Sequence, residues 1–416
     1  VFGVSIPLTV LAMVVVLNKA RPLFLEIQSR VDGVNAVIKE NLAGIGVVKS
    51  FNRQKHEEKR FRERNDALRN TALKAVSIII FAMPILNLIV YATIIAVLWF
   101  GGQQIVAGSM GRGELISFIT YITQIMMALM MISMFFMQLL RGVASKDRIL
   151  AVWNTSSEIT EAEEPITSLQ DGSIRFNNVS FSYPGSPEKV LKNIDLHIES
   201  GETIGIIGST GSSKSTFVHL IPRLYDVSSG SVEVGGVDVR KYSIKALRDQ
   251  VAFVLQKNTL FSGTIRENMH WGNENATDEE IILALKRAQA WEFVSKYPDG
   301  LDHRVEQGGS NFSGGQKQRL SIARALVKQP KVLILDDSTS AVDMTTDAKI
   351  QRVFKHELED VTTIIIGQRI SSIQYADRIL VLHQGEIESM GDHETLLKTS
   401  PIYREIYESQ KGVVGE

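Results

Sequence analysis

The sequence lacks cysteine, and it carries almost no net charge. Across its 416 residues the formal net charge is −1, and the sequence pI is about 6.8. Without cysteine the chain has no disulfides and no thiolate metal sites, and its redox compartment stays open. The charge balance gives no overall attraction for nucleic acid, so no nucleic-acid partner is expected.

An initiating methionine is also missing, because the chain begins with Val1 inside an apolar run. No basic region precedes that run, as one would in a signal peptide. This beginning is typical of a fragment or of a trimmed N-terminus.

Long apolar runs are concentrated in the first third of the chain. Three stretches are apolar enough for a bilayer, at residues 1–17, 75–100 and 115–140. The second and third exceed the roughly 20 residues that cross a hydrocarbon core, whereas the first is shorter. A buried helix of a globular protein is the alternative for each, but length and lack of charge favour membrane spans.

The distribution of charge predicts how these spans are oriented. Residues 18–74 contain 13 Lys/Arg and 7 Asp/Glu, whereas the loop at residues 101–114 has one basic residue, Arg112. Basic loops stay in the cytoplasm, which predicts that the long segment is inside and the short loop outside. We therefore expect a multi-pass protein of the cell membrane, plasma or inner, whose remaining residues lie in the cytoplasm.

The long basic segment has a helical apolar repeat. Apolar residues recur there at steps of three and four, at Leu23, Ile27, Val31, Val34, Ile38, Leu42 and Ile45. This spacing predicts a membrane helix that continues well into the cytoplasm. The low helix propensity of Gly44 and Gly46 predicts a turn at the far tip, after which residues 49–74 return as a second helix.

Several residues inside the second and third spans are candidates for functional contacts. Pro84 can kink the second span, and the amide of Asn87 is expected to face a protein interior. The third span carries a stripe of methionines with two phenylalanines, Met126, Met127, Met130, Met131, Met134, Met137, Phe135 and Phe136. Such a stripe suits varied apolar molecules, while ordinary helix packing or lipid contact stays open for each methionine.

The chain changes character after residue 153. Residues 154–171 are charged and contain proline, which is typical of a linker. From Ser173 onward strand and helix patterns alternate, which predicts an α/β domain with a largely parallel sheet. We therefore divide the chain into a partial α-helical transmembrane domain at residues 1–153, a linker, and an α/β domain at residues 172–416.

A glycine-rich loop follows the apolar strand at residues 203–207 and precedes a helix that opens near Phe217. The loop consists of Gly208, Ser209, Thr210, Gly211, Ser212, Ser213, Lys214, Ser215 and Thr216. In this context the pattern predicts a P-loop whose backbone N–H groups cradle the phosphates of ATP. Lys214 would add a positive charge, and Ser215 could ligate Mg²⁺.

Two further motifs agree with an ATP site. The apolar strand at residues 332–335 ends in Asp336 and Asp337, and Asp336 would hold the Mg²⁺ shell. The segment at residues 311–316 precedes a predicted helix at residues 317–327 and offers a second anion site at a helix N-terminus.

Together these motifs resemble those of ATP-binding cassette (ABC) transporters, specifically exporters in which membrane and nucleotide-binding domains share one chain. The resemblance covers essentially the whole chain. It rests on the P-loop, on the strand that ends at Asp336, and on two further motifs. The first is a signature formed by Ser313, Gly314, Gly315 and Gln316, and the second is a later loop formed by Ser340, Ala341, Val342 and Asp343.

The resemblance also implies roles for other residues. Tyr183 would stack on adenine, and Gln256 would sense Mg²⁺ and phosphate and couple the site to the membrane domain. Asp343 would belong to the catalytic machinery, and the tip at residues 45–51 would dock on a nucleotide-binding domain. Half-transporters of this family have six membrane helices, so the resemblance implies that this chain holds the last three.

Three residues depart from the family pattern. Asp337 stands where the general base is normally glutamate, which withdraws the carboxylate by about 1.5 Å. Gln368 stands where a histidine normally contacts the γ-phosphate, and an amide cannot titrate near pH 7. Ser213 replaces a glycine of the P-loop, where a Cβ could crowd the backbone. Loss of general-base catalysis raises a barrier by roughly 3 to 5 kcal/mol, so we expect ATP binding with poor turnover.

Cassettes of this family pair head to tail, each ATP lying between one P-loop and the other signature. The intact signature therefore implies a degenerate half of a heterodimeric multidrug exporter, whose Ser313 to Gln316 segment completes the competent site of a second half-transporter. Membrane lipid and an amphipathic small molecule would be further partners. A homodimeric lipid or drug flippase with slow hydrolysis is one alternative, and a membrane-anchored nucleotide-binding module without transport is another. The membrane spans argue against a soluble cassette protein that acts on DNA or ribosomes.

Overall fold

The computed structural model describes residues 2–209, 211–338 and 341–411. The side chains of Phe2, Lys411 and many residues between 126 and 148 lie outside that description. Two predicted site residues, Thr210 and Ser340, also lie outside the described residues. The chain divides into two compact units, Val1–Ser156 and Ser157–Glu416.

The first unit is helical. Its helices are α1 (Phe2–Ala43), α2 (Ile45–Ser50), α3 (Gln54–Val106) and α4 (Arg112–Trp153). Among the described residues, α1 and α3 are long and apolar enough to cross a membrane, and they contain the first two predicted spans. At 1.5 Å per residue α3 is about 80 Å long, so it extends well beyond a hydrocarbon core of about 30 Å. The third predicted span lies in α4.

The turn between α1 and α3 comes later than the sequence predicted. Gly44 interrupts the helix only briefly, since its N–H still donates to the carbonyl of Glu40 at 2.8 Å. Gly46 stays inside α2, because glycine costs a helix only about 1 kcal/mol. The chain reverses at residues 51–53, where Asn52 takes a left-handed φ of 52°, a conformation that asparagine tolerates. The returning helix therefore begins at Gln54 rather than at Lys49.

The predicted apolar seam of α1 is covered only in part. From Leu23 to Val34 its residues are half-buried, but Leu42 is 69% exposed and Ile45 is also exposed. Near the tip it is Val37, outside the predicted seam, that is buried. The tip of the helical unit thus presents apolar side chains to its surroundings.

Polar contacts bind α1 to α3 close to the tip. The guanidinium of Arg60 donates to the carboxylate of Glu40 at 2.7 Å. The amide of Asn41 donates to Glu57 at 3.4 Å. Because residues early in α3 meet residues late in α1, the two helices run antiparallel.

The candidate contact residues of the spans are exposed where they are described. Asn87 is exposed in the described part of the chain, so its expected contact with a protein interior stays a prediction. In α4 Met127, Met131 and Phe135 are exposed. The remaining side chains of the stripe lie outside the described residues, namely Met126, Met130, Met134, Met137 and Phe136.

The described residues of the second unit form three sheets of short strands. The strands are β1 (Ile174–Phe181), β2 (Leu191–Ile198), β3 (Thr203–Ile207), β4 (Ser229–Val234), β5 (Val237–Asp238), β6 (Val251–Val254), β7 (Gly263–Thr264), β8 (Arg304–Val305), β9 (Val332–Asp336), β10 (Thr362–Ile366), β11 (Arg378–His383) and β12 (Glu386–Gly391). The largest sheet has the order β12-β11-β3-β10-β9-β6 and is parallel except at β12. It confirms the predicted α/β architecture, to which an antiparallel sheet of order β2-β1-β4-β5 and the pair β7-β8 are added.

Nine α-helices of the described residues accompany these sheets. They are α5 (Lys214–His219), α6 (Ile244–Gln250), α7 (Ile265–His270), α8 (Asp278–Arg287), α9 (Trp291–Val294), α10 (Gly314–Val327), α11 (Met344–Glu357), α12 (His393–Thr399) and α13 (Pro401–Lys411).

The parallel sheet is covered on both faces. Along β9 the side chains of Val332 and Ile334 enter one apolar core, whereas Leu333 and Leu335 enter the other. Strand side chains alternate between faces, so a continuous apolar run is what a doubly covered strand requires. This burial fixes the register of the strands whose ends carry the polar site.

The second half of the predicted linker packs on the second unit. The carboxylate of Glu161 accepts from the N–H of Ile244 at 3.1 Å, and the N–H of Ile166 donates to the carbonyl of Lys241 at 2.9 Å. Leu169 is buried in the core beneath the antiparallel sheet.

We expect Phe217→Ala to lower the free energy of unfolding of the second unit by about 3–5 kcal/mol. Phe217 is fully buried, and its ring stacks on Phe176 with centroids 4.3 Å apart. Thermal unfolding of the purified full chain measures the loss. Met344→Ala is the control, because Met344 is 66% exposed and its truncation should change stability by less than about 0.5 kcal/mol. Equal stabilities of the two variants would contradict this packing.

Candidate nucleotide site

The P-loop connects the end of β3 to the start of α5. A Cβ on Gly208 would lie only 2.1 Å from the carbonyl oxygen of Leu382, so no other residue fits there. Gly211 has a φ of 84°, a left-handed conformation that glycine adopts without strain. The close approach thus requires glycine at position 208, and the left-handed backbone favours it at position 211.

Ser213 adopts a conformation normally left to glycine. Its φ is 69° and its ψ is 22°, at the position that immediately precedes α5. For a residue with a Cβ the left-handed region costs roughly 1–2 kcal/mol. Ser213, which replaces a glycine of the family pattern, is thus a point of backbone strain in the predicted phosphate-binding loop.

Lys214 is folded back onto its own loop. Its ammonium donates to the carbonyls of Gly208 at 2.8 Å and Ser209 at 2.9 Å, and to the hydroxyl of Ser212 at 3.2 Å. Burial lowers the pKa of Lys214, while the carboxylates of Asp336 and Asp337 act in the opposite direction. A phosphate that enters the loop would compete with these carbonyls for the ammonium.

Asp336 ends β9 and is buried with only 4% of its surface exposed. Burial raises the pKa of Asp336, and a hydrogen bond from Ser215 and the nearby His219 and Lys214 oppose this rise. A buried carboxylate beside a hydroxyl fits Mg²⁺, which commonly takes one or two protein oxygens and completes its shell with substrate phosphates and water. Among the described residues no group of three or more His, Cys, Asp or Glu side chains could hold a metal ion.

Asp337 is the point at which three predicted site residues meet. Its Oδ2 accepts from the amide of Gln368 at 2.7 Å and from the amide of Gln256 at 3.3 Å. Burial raises the pKa of Asp337, as does the carboxylate of Asp336. The backbone of Asp337 is left-handed, with a φ of 49°.

Tyr183 lies beside the P-loop. Its hydroxyl is 2.9 Å from the hydroxyl of Thr216, and its half-buried ring meets Tyr225 edge-on with centroids 5.3 Å apart. The structure thus brings Tyr183 to the site, next to the loop expected to hold phosphates.

The signature begins α10. Ser313 caps the helix in a reciprocal arrangement, in which its N–H donates to the amide oxygen of Gln316 at 2.9 Å and its hydroxyl accepts from the N–H of Gln316 at 3.3 Å. This capping box lets the helix start at Gly314 instead of the predicted Lys317. A Cβ on Gly315 would lie 2.8 Å from the carbonyl of Ala341, so that glycine permits a close approach.

The loop after β9 is attached to the signature helix. The N–H of Ala341 donates to the side-chain oxygen of buried Gln318 at 2.9 Å. Val342 is buried. Asp343 caps α11 by accepting a hydrogen bond from the N–H of Thr346 at 2.9 Å. Hydrogen bonding to Thr346 lowers the pKa of Asp343. Sequence reasoning missed Gln318, because its partner Ala341 lies 23 residues further along the chain.

Two family models match the chain. Residues 2–129 match the ABC transporter transmembrane region, and residues 191–340 match the ABC transporter family. The uncharacterized ABC transporter ATP-binding protein YfiB of Bacillus subtilis is 42% identical over 412 residues, which cover 99% of this chain and 71% of that protein. The chain belongs to the ABC transporter family.

Other similar proteins extend this result. An ATP-dependent lipid A-core flippase of Desulfotalea psychrophila is 35% identical over 97% of this ABC transporter chain and 71% of that protein. A solved structure of a bacterial Atm1-family ABC exporter with ATP bound superimposes with a TM-score of 0.84 at 28% identity, covering 99% of this chain and 74% of that one. The chain is therefore a membrane protein with an exporter fold and a cytoplasmic nucleotide-binding domain that binds ATP.

We expect Ser213→Gly to stabilise this ABC transporter chain by up to about 1 kcal/mol. Relief of left-handed strain is worth roughly 1–2 kcal/mol, and the greater freedom of glycine in the unfolded chain offsets about half of it. The free energy of unfolding, measured without nucleotide, tests this expectation. Ser209→Gly is the matched control, since Ser209 is not left-handed and the same change there should destabilise. A loss of stability in Ser213→Gly would contradict the strain.

Proposed function

We propose that this chain is one subunit of an ATP-driven exporter of amphipathic molecules, with an ATP site of its own that binds Mg²⁺-ATP and hydrolyses it poorly. Its signature would complete the competent site of a second, different half-transporter. The observation that carries the proposal is the hydrogen bond from the Gln368 amide to the Asp337 carboxylate at 2.7 Å.

This hydrogen bond occupies the carboxylate of Asp337, the group that would have to act as general base. A base must reach a water that attacks the γ-phosphate, and an aspartate is one methylene shorter than the glutamate usual in the family. Gln368 and Gln256 both donate to the same carboxylate oxygen. An amide neither accepts a proton near pH 7 nor carries positive charge toward the phosphate, which a histidine can do.

Binding of ATP requires no general base, and the residues that could bind its phosphates, metal ion and adenine are present. Lys214 and the P-loop backbone fit phosphates, while Ser215 and Asp336 fit the metal. Mg²⁺ would supply charge neutralisation between the phosphates when bound. Tyr183 lies beside Thr216, which supports its assignment to adenine.

The signature is well formed. Ser313 caps a helix of 14 residues, and the free N–H groups of such a terminus favour an anion. A complete signature beside a compromised base supports a division of labour, in which Ser313, Gly314, Gly315 and Gln316 act on the ATP of a partner.

The membrane part supports an exporter. We assign α1, α3 and α4 to the last three of six membrane helices, and residues 45–51 to the tip that docks on a nucleotide-binding domain. Phe51 and Val47 are 72% and 62% exposed at that tip. Amphipathic drugs or lipids are the proposed substrates, and a homodimeric lipid flippase with slow turnover is the second candidate, favoured by the flippase among its relatives.

We expect the purified chain alone to hydrolyse ATP near background in nanodiscs, and to gain activity with a partner subunit that has glutamate and histidine at the corresponding positions. Phosphate release measures turnover. In the mixture Ser313→Ala should abolish the gain, because its signature contacts the ATP of the partner. Robust turnover by the chain alone would refute the impaired site and favour the homodimer.

The double variant Asp337→Glu with Gln368→His should hydrolyse ATP in the chain's own site. General-base catalysis is worth about 10² to 10⁴ in rate, so a gain of at least about 10² is expected in single-turnover measurements with a partner whose own site is inactivated. Adding Lys214→Ala is the control and should remove the gain together with ATP binding. No gain while ATP stays bound would contradict the assigned roles.

A further inference from the structure

The loop that follows β10 carries Gln368 and is held by the C-terminal helix α13. Gln368 and Arg369 are exposed, whereas Ile370 is buried at 2%. The side chain of Gln410, near the end of α13, reaches this loop. The loop next to the proposed γ-phosphate position thus depends on an element about 40 residues away in the chain.

Gln410 makes two hydrogen bonds of opposite polarity with the loop backbone. Its amide N–H donates to the carbonyl of Gln368 at 2.7 Å, and its carbonyl accepts from the N–H of Ile370 at 2.9 Å. Residues 368 and 370 are bound in the way that a neighbouring β-strand would bind them. One amide therefore fixes the backbone on both sides of Arg369.

The helix that presents Gln410 is itself anchored. Tyr403 is fully buried in α13, and its hydroxyl is 2.7 Å from Nδ1 of His393. Ile406 and Tyr407 pack against the same apolar core that contains Ile370. Gln410 thus lies at a defined position relative to the loop that it holds.

The far end of the loop is fixed separately. The hydroxyl of Ser372 donates to the carboxylate of Asp347 at 2.9 Å, and both residues are buried. Asp347 belongs to α11, the helix that Asp343 caps. With Ser372 held by α11, the backbone carrying the Gln368 side chain is the part that Gln410 controls.

We propose that Gln410 is a positioning residue of the ATP site, which orients Gln368 toward Asp337 and the γ-phosphate. This inference rests on the proposed function, namely that the site binds Mg²⁺-ATP. Gln410 touches neither Asp337 nor the P-loop in the contacts described above, so it acts through Gln368. The C-terminal helix thereby becomes part of the site that discriminates ATP from ADP.

The test replaces Gln410 by Met in the full chain in nanodiscs, because methionine keeps much of the volume and removes both hydrogen bonds. We expect the affinity for Mg²⁺-ATP to fall about fivefold to tenfold, while the affinity for Mg²⁺-ADP stays within about twofold. Gln410→Ala serves as a second variant. Ser409→Ala is the matched control on the same helix, since the Ser409 hydroxyl bonds only locally to the carbonyl of Ile406 in the contacts described, and its affinities should not change.

A double variant separates positioning from general damage. When Gln368→Ala is already present, Gln410→Met should cause no further loss of ATP affinity, because the residue through which it acts is gone. An equal loss for ATP and ADP, or the same loss in both backgrounds, would overturn the proposal.

Amide hydrogen exchange provides a readout that needs no nucleotide. Gln410→Met should speed exchange at the N–H of Ile370 about tenfold or more and leave the β10 residue Ile364 unchanged. Unchanged exchange at Ile370 would refute the positioning role even if ATP binds. If the wild-type chain binds no Mg²⁺-ATP, the proposed function is wrong. The exchange rate at Ile370 still shows separately whether Gln410 holds the loop backbone.

Discussion

The register of three adjacent parallel strands is the constraint on which the ATP site depends. In the central sheet Ile206 of β3 pairs with Ile366 of β10, and Ile366 pairs with Asp336 of β9. The P-loop, Gln368 and Asp337 each follow one of these strands, so a shared sheet edge brings them together, and β10 places Gln368 between the P-loop and the two carboxylates. Binding at the carboxyl ends of parallel strands is general for open α/β sheets. A slip of one residue would move each buried side chain from one apolar core to the other, where it would not fit the packing, so the two cores together hold the polar site in place.

The site concentrates features that work against stability. Ser213 and Asp337 both have left-handed backbones, Asp336 and Asp337 have raised pKa values because they are buried, and Lys214 has a lowered one for the same reason. Strained dihedrals and partly desolvated charges persist where the surrounding fold over-determines them. Here the two apolar cores on either side of the sheet provide that support.

Local patterns predicted the parts of the site whose contacts are local. The strand at 203–207, the glycines of the P-loop and the acidic end of β9 lie where the sequence indicated, because apolar runs and glycine spacing encode them directly. Partners distant in sequence were not predictable: nothing marks Gln318 as a ligand of Ala341, or Gln410 as a ligand of residues 368 and 370. The glycines at positions 44 and 46 predict a turn that is too early, because glycine costs a helix only about 1 kcal/mol and Gly46 stays helical, so the chain reverses at Asn52 instead. The roles of Asp337, Gln368 and Ser313 stay predictions.

The hydrogen bond between buried Gln318 and Ala341 has a mechanical consequence. It joins α10, the helix that Ser313 caps, to the loop that follows Asp337, and Gly315 allows the two backbones to approach closely. A rearrangement of that loop would therefore displace the N-terminus of α10. If the signature acts on the nucleotide of a partner, as proposed, this one amide side chain would couple the ATP site of the chain to that of its partner.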